Sequence, residues 1–373
     1  MTDLIVVGGG IVGLCAALRA AEAAMRVTLI DAASNAGTTT NAGSLHVQLQ
    51  SRFMRVHPDQ AHNVEASLPF YLKAVKEWER LAQGLGSMDL VRRGGLMLAE
   101  DAAQLDFLVA KAKREAAAGL NVELLDRRAL ETLAPWLGPQ IIGAELCHDE
   151  GKLNPLLANR LIRERAEQLG VRFIRDRVLG IEPASPLVVA CERERHTAEQ
   201  VLIAAAWGSG DLLRPLGLAV QTKAEPLHMN ITEPAASAIH HLVQHAERSI
   251  TLKQLQTGQI VIGGGWPASE RPGGGVPKVR AASLLGNVGL AGRLVPGLRG
   301  LRVIRSWAGM NTTVDGKSTL GRLPAQDRVL LAVPGDAGYT LGPLCGRVVA
   351  ELAAGISVEH DLQPFSPQRF KSA

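Results

Sequence analysis

Three glycines and one acid near the start of the chain carry its sharpest chemical signal. Gly8, Gly10 and Gly13 stand in a G-x-G-x-x-G spacing, and Asp31 lies 18 residues beyond Gly13. Each has a physical task in holding a dinucleotide. Gly8 makes a tight turn, Gly10 lets a pyrophosphate approach the backbone, and Gly13 lets a helix pack closely on a strand. The free N–H groups and dipole at the helix N-terminus attract the phosphate charge. The Asp31 carboxylate accepts hydrogen bonds from ribose hydroxyls and repels the 2′-phosphate of NADP. These roles require a strand before the glycines and another ending at the acid. Both are present in the pattern: Leu4–Val7 is a buried β-branched run, a helix follows to about Ala24, and Arg26–Ile30 is a second buried strand. A Gly-rich turn that only packs would leave Asp31 unexplained.

Further glycine turns follow buried strands elsewhere. Asn41-Ala42-Gly43-Ser44 closes a loop running from Ala32. Val201–Ala206 reads as a strand ending in Trp207-Gly208, and Val329–Val333 leads into Gly335–Tyr339 and a helix over Leu341–Ala354. A ligand as large as FAD touches several such turns, whereas NAD usually needs fewer, so FAD is expected. Other constellations are weaker. His240, His241 and His245 imitate a metal site, but no acid or cysteine clusters with them in sequence, so a polar helix face and no metal are expected. There is no G-x-S-x-G, and the spacing of the carboxylates suggests no glycosidase pair.

Composition sets the bounds. The chain has 373 residues, 39 of them Gly, with 46% apolar and 20% charged residues. That excludes a disordered chain and allows one large or two medium domains. The net charge of +4 is dispersed and gives little support for nucleic-acid binding. Four scattered cysteines without a C-x-x-C support neither zinc nor a self-contained iron–sulfur cluster and fit a reducing compartment. The longest apolar stretch, Leu4–Leu18, is too short and Gly-rich to span a membrane. With Asp3 where a secretory signal would be basic, the expectation is a cytoplasmic protein without an integral membrane segment.

Between the two nucleotide-type ends, residues 67–84, 101–118, 126–134 and 154–170 read as helices. Residues 89–99, 141–146, 171–174, 178–181 and 187–191 read as strands. Residues 217–307 mix strand signals with a Gly/Pro-rich stretch at 263–277.

Taken in order, several segments resemble the D-amino acid oxidase/glycine oxidase family of FAD-dependent oxidoreductases. They are VVGGGIVGLCAAL, DEGKLNPLLANRLIRERAEQLGVRF, VLIAAAWGS, IVIGGG, RSWAGMNTTVDGKSTLGRLP and PGDAGYTLGPLCGRVVAELAAG. Within that family, NAGSLHVQLQSRF and SWAGMN are most similar to the FAD-bearing B subunit of bacterial opine oxidases and to amine dehydrogenase β subunits. The resemblance implies an α/β fold, α+β overall. A Rossmann-like FAD/NAD(P)-binding domain (1–82, 148–218 and 305–373) is interleaved with a β-rich substrate domain (83–147 and 219–304). It implies oxidation of a C–N bond beside a carboxylate by hydride transfer to flavin N5. It also implies partner subunits that carry an iron–sulfur centre and in some cases a further flavin. A stand-alone oxygen-using glycine or sarcosine oxidase, a non-catalytic FAD-bearing subunit and an NAD-linked dehydrogenase are the competing readings.

At matching positions, FAD contacts are expected from Gly8, Gly10, Ile11, Val12, Gly13, Asp31, Ala32, Ala42, Gly43, Ser44, Leu45, Val178, Ala206, Trp207, Gly208, Gly309, Gly338, Tyr339, Thr340 and Leu341. His46 follows the NAGS turn and is expected beside the flavin or substrate, with Gln48 on the same side if the segment is extended. One of Lys253 and Gln254 faces the flavin by strand alternation. Where many relatives carry an Arg that binds the substrate carboxylate, this chain has Met310-Asn311, and the candidates to hold that group are Asn311, Lys253, Arg52 and Tyr339. The expected catalytic set is therefore His46, Gln48, Lys253, Asn311 and Tyr339.

Overall fold

A computed structural model of the chain describes residues 2–34, 37–271, 275–335 and 337–370, with the side chain of Arg52 left aside. It opens with β1 (Thr2–Val7), α1 (Ile11–Glu22) and β2 (Val27–Asp31), the expected βαβ unit. An excursion follows: β3 (Ser44–Leu45), α2 (Ser51–Val56), α3 (Ala61–Leu85), β4 (Gly95–Ala99), α4 (Ala102–Ala117), β5 (Val122–Asp126), α5 (Arg127–Leu133) and β6 (Gly143–Cys147). The chain returns through β7 (Gly151–Lys152), α6 (Pro155–Gln168), β8 (Arg172–Arg175), β9 (Val178–Glu182), β10 (Leu187–Cys191), β11 (Arg195–Ile203) and α7 (Ser209–Leu213). A second excursion holds β12 (Lys223–Thr232), β13 (Leu242–His245), β14 (Thr251–Gln254), β15 (Ile260–Gly263), α8 (Ala281–Leu294) and β16 (Val303–Thr313). The last elements are β17 (Thr319–Leu323), β18 (Gln326–Val333) and α9 (Gly338–Ala353).

The strands form two large sheets. The first runs β17-β18-β11-β1-β2-β8, with β18, β11, β1, β2 and β8 parallel, and β9 and β10 attached beside β11. Its inner parallel strands β1 and β2, with the paired ends of β11 and β18, are largely apolar on both faces because both faces are covered. Leu4, Val6, Leu29 and Leu202 pack under α1, α6 and α9 on one side, while Ile5, Val7, Val201 and Ile203 pack against a second core on the other. The second sheet runs β16-β12-β15-β14-β13-β4-β6-β5. Leu252, Ile260 and Ile262 face its own core beneath α5 and α8.

Two contacts set the geometry around α1. A β-carbon on Gly13 would collide with the Gly8 carbonyl oxygen, and one on Gly346 would collide with the Val12 carbonyl oxygen. Glycine at both places lets α1 sit against its strand turn and lets α9 lie directly on α1.

Three expectations need correcting. Residues 305–313 belong to β16, which pairs along its length with β12, so the expected boundary at 304/305 falls inside a strand of the second sheet. His241 and His245 do not share a helix face: the segment enters β13, an extended strand. The third concerns β11, expected over Val201–Ala206. It begins at Arg195 as one arm of a hairpin with β10 and ends at Ile203.

Candidate active site

A cavity of about 280 Å³ lies between the two sheets. From the first sheet it receives the N-termini of α1 and α9, the loop around Gly37–His46, and Ala204, Ala206 and Trp207. The second sheet contributes the face opposite its α8 core. Pairing places Leu227 beside Gly309, Met229 beside Trp307 and Lys253 beside Val261 on that face. Asn230 points the other way and donates to Asn287 on α8 at 3.0 Å.

The glycine turn is held from beneath by the acid. Asp31 accepts from the Gly9 N–H at 2.6 Å and the Ala33 N–H at 2.7 Å, one through each carboxylate oxygen. The first amide of α1, on Ile11, donates to Thr38 Oγ at 2.8 Å. Neither Gly10 before α1 nor Ala337 before α9 has a side chain that caps its helix, and the positive ends of the two helices reach one cavity. Ser44 Oγ and Thr340 Oγ are buried there without a hydrogen-bond partner among the described residues. Orphaned hydroxyls beside uncapped helix ends are the lining a dinucleotide satisfies, and the residues present fit FAD.

Of the residues expected at the cofactor, Gly10, Ile11, Val12, Ala42, Ser44, Ala206, Trp207, Gly309, Gly338, Tyr339 and Thr340 line this cavity. Gly8, Gly13, Asp31 and Ala32 shape the turn behind it. Gly43, Leu45, Gly208 and Leu341 flank lining residues in sequence. Val178, on β9, stands apart, paired with Cys191 of β10. Asp336, within the late glycine motif, lies outside the described residues.

The expected catalytic residues separate into two groups. His46, Lys253 and Asn311 line the cavity. Strand alternation resolves the lysine and its neighbour: Lys253 faces in, while Gln254 braces a turn by bonding Ala238, Ala236 and Gly258. Asn311 Nδ2 donates to Glu225 Oε2 at 3.2 Å. Gln48 is not in the cavity. Its Nε2 donates to Glu150 at 2.9 Å and its Oε1 accepts from Lys111 at 3.1 Å. The backbone there is not a strand with a common face, because the Val47 and Gln48 amides turn to Glu150 and the Leu49 amide to Glu115. Tyr339 lines the cavity, but its hydroxyl donates to Asn159 on α6 at 3.0 Å and its ring stacks on Trp78 at 5.1 Å. The Arg52 side chain is outside the described residues.

Behind His46 lies a buried polar network that the sequence did not reveal. Glu150 is fully buried and accepts from Val47, Gln48 and Gln244, with His46 Nδ1 3.6 Å away. Burial works against its ionisation, but His46, Gln48 and the Val47 amide outweigh burial and hold the carboxyl below its ordinary range. Further back, Lys111 bridges Glu115 at 2.9 Å and Glu145 at 2.8 Å. Burial and the bond to Glu145 push Glu115 up to about 9, which favours a proton on Glu115 at neutral pH. Glu150 was visible in the DEG stretch, but its spacing named no partner.

Lys253 differs from every other charged group in the site. Among the described residues it is the only Lys or Arg lining the cavity. It is 1% exposed, and its ammonium group reaches one carbonyl, Leu153 O, at 3.4 Å. Burial, and then the charge of Lys152, drive it well below its ordinary range. Lys152, bonded to Ile239 O, is itself lowered to about 8 by burial. Elsewhere, Asp176, Cys191 and His196 bring potential ligand atoms within 4.8 Å, but none of the three lines the cavity.

Comparison with known proteins agrees with this geometry. A family model described as FAD dependent oxidoreductase matches residues 3–352. Glycine oxidase of Bacillus licheniformis is 24% identical, covering 98% of this chain and 97% of its own length. The B subunit of opine oxidase from Agrobacterium tumefaciens is also 24% identical, over 99% and 97%. The crystal structure of glycine oxidase from Geobacillus kaustophilus superposes with a TM-score of 0.82 at 21% identity, covering 99% of this chain and 98% of that one. The uncapped helix ends, the acid beneath the glycine turn and the match across nearly the whole chain lead to one assignment: this chain belongs to the DAO family of FAD-dependent oxidoreductases, enzymes acting on amino-acid C–N bonds.

Proposed function

We propose that this chain oxidises the C–N bond of an amino-acid-derived amine, such as an opine, a D-amino acid or an N-substituted amino acid, as the catalytic subunit of a multi-subunit dehydrogenase. The observation that carries the substrate class is Lys253. A lysine buried without a counter-ion can hold a proton at little cost only beside an anion, so a cavity built around one favours an anionic ligand. Asn311, in the place of a bidentate Arg, adds a neutral donor and acceptor on the same sheet face. FAD, when bound, supplies the acceptor for the hydrogen leaving the C–N carbon as hydride at N5. The chain's own residues hold the carboxylate at Lys253, present His46 and Asn311 to the rest of the substrate, and enclose it between the sheets. The imine product is then hydrolysed by water.

Similarity to the B subunit of an opine oxidase supports the subunit role and, with it, partners that carry an iron–sulfur centre or a further flavin. Among the described residues no helix is long and apolar enough to cross a membrane. The test is anaerobic bleaching of the flavin by a panel of opines, D-amino acids, N-methylglycine and proline derivatives. Bleaching by one class, with little peroxide formed by the isolated chain in air, is the expected result. Rapid peroxide release would show a stand-alone oxidase, and a flavin that no amine bleaches even with partners present would show a non-catalytic subunit.

A further inference from the structure

Resting on that reading, we propose that Lys253 is both the anchor for the substrate carboxylate and the base that removes the proton from the substrate ammonium. It would sit as an uncharged amine before substrate arrives and become an ammonium only on binding.

Titratable groups stand on each element around Lys253. From β7 comes Lys152, a second buried cation on the strand that ends beside Leu153. From the turn before β7 comes Glu150, whose oxygens already accept from Val47, Gln48 and Gln244. The loop after β3 brings His46, beside Glu150. The segment before β13 brings His241, which burial and then the charges of His240 and Lys152 hold at about 4, hence neutral at pH 7. On β12, Glu225 is bonded to Asn311 of β16. Lys253 makes no ion pair with a carboxylate among the described residues, so the balance of charge around it is set by burial and a like neighbour. Both favour the free amine.

The chemistry needs that amine. An amino acid in neutral water carries its nitrogen as an ammonium, which has no lone pair to assist loss of hydride from the adjacent carbon. The carboxylate and the nitrogen stand on one carbon, so a single side chain can reach both. The N–H bond of the ammonium breaks and its electron pair stays on the substrate nitrogen. The Lys253 lone pair takes the proton, no electron is gained or lost overall, and net charge is unchanged. The new ammonium then lies beside the carboxylate, whose charge stabilises it. Removing the proton and securing the carboxylate become one event.

The experiment is calorimetric binding to the flavin-loaded protein at pH 7, in two buffers of different ionisation enthalpy, with two probes. N-methylglycine carries its own ammonium proton, whereas methoxyacetate has an ether oxygen at that place. Methoxyacetate is expected to draw about one proton from the buffer on binding and N-methylglycine close to none. Lys253→Met should weaken methoxyacetate roughly tenfold to hundredfold and abolish the uptake. Lys253→Arg should bind methoxyacetate without uptake, since its guanidinium is always charged. Methoxyacetate binding to the unsubstituted protein without proton uptake would overturn the proposal, as would unchanged affinity in Lys253→Met or failure of both probes to bind. Bleaching of the flavin by any amine on the panel would leave the functional reading standing in each of those cases.

Discussion

Replacing Tyr339 with Phe removes one hydroxyl and keeps the ring that stacks on Trp78. Because that hydroxyl is engaged by Asn159, Tyr339→Phe should cost about 1 kcal/mol of stability, read from urea midpoints, and leave kcat and KM unchanged. A tenfold change in KM would instead make the hydroxyl part of the site. Glu150→Gln makes the opposite case. Four N–H groups from three residues converge on this carboxylate, and an amide would turn two of its own hydrogens toward them. The substitution should cost roughly 1–3 kcal/mol or more, seen as an earlier unfolding midpoint, and should broaden the His46 ring resonances as that side chain loses its neighbour. The sequence showed which residue types belonged near the cavity, and strand alternation correctly allowed only one of Lys253 and Gln254 to face it. It did not show Gln48 turning away, because that depends on amides meeting acids about 65 and 100 positions later in the chain. Contacts across such separations leave no local period to read.

At the scale of elements, the helix pair α1 and α9 decides whether two positive helix ends meet at one point. Gly346→Ala would press a methyl group into the Val12 carbonyl and the Ala16 amide, so the pair must spread. A loss of about 1–3 kcal/mol is expected, together with weaker FAD binding in a fluorescence titration. Gly289 provides the control. It lies inside α8 with open space around it, and Gly289→Ala should stabilise by roughly 0.5–1 kcal/mol with FAD affinity unchanged. The elements that sequence identified were those with one strong signal. These were β1, α1 and β2 with their apolar runs, and α4, α5 and α6 with their periodic faces. The start of β11 was missed because Arg195–Glu199 is mostly polar and, apart from Ala198 beside Thr2, pairs with β10. α8 was missed because its glycines dilute the helical signal. β12 and β16 were blurred because both carry apolar and polar residues on each side, and the start of β16 is exposed at Ile304 and Arg305.

Across the whole molecule, acid stability follows from two buried imidazoles. Burial holds both His241 and His245 at about 4, with neighbouring cations adding to the effect at His241 and Glu100 opposing it at His245. Since unfolded histidine titrates near 6.5, the unfolded chain binds more protons between these values. Their contribution to stability is therefore full above about pH 6.5 and is lost as pH drops toward 4. His245 Nδ1 also accepts from the Glu247 and Arg248 amides, so protonating that nitrogen breaks two bonds. Urea midpoints measured from pH 7.5 to 4.5 should carry this loss, set against the opposite contribution of Glu115. His245→Asn, which keeps an acceptor, should flatten the decline by about one proton's worth of slope. The contact between α1 and α9 has one more consequence, in time. Helix α1 leaves the ribosome long before its partner, which is complete only once Ala353 has emerged. Until then the glycine turn faces water with half of its walls missing. Flavin capture is thus a late event in the life of each new chain, and a bound yellow chromophore marks molecules whose synthesis has passed that point.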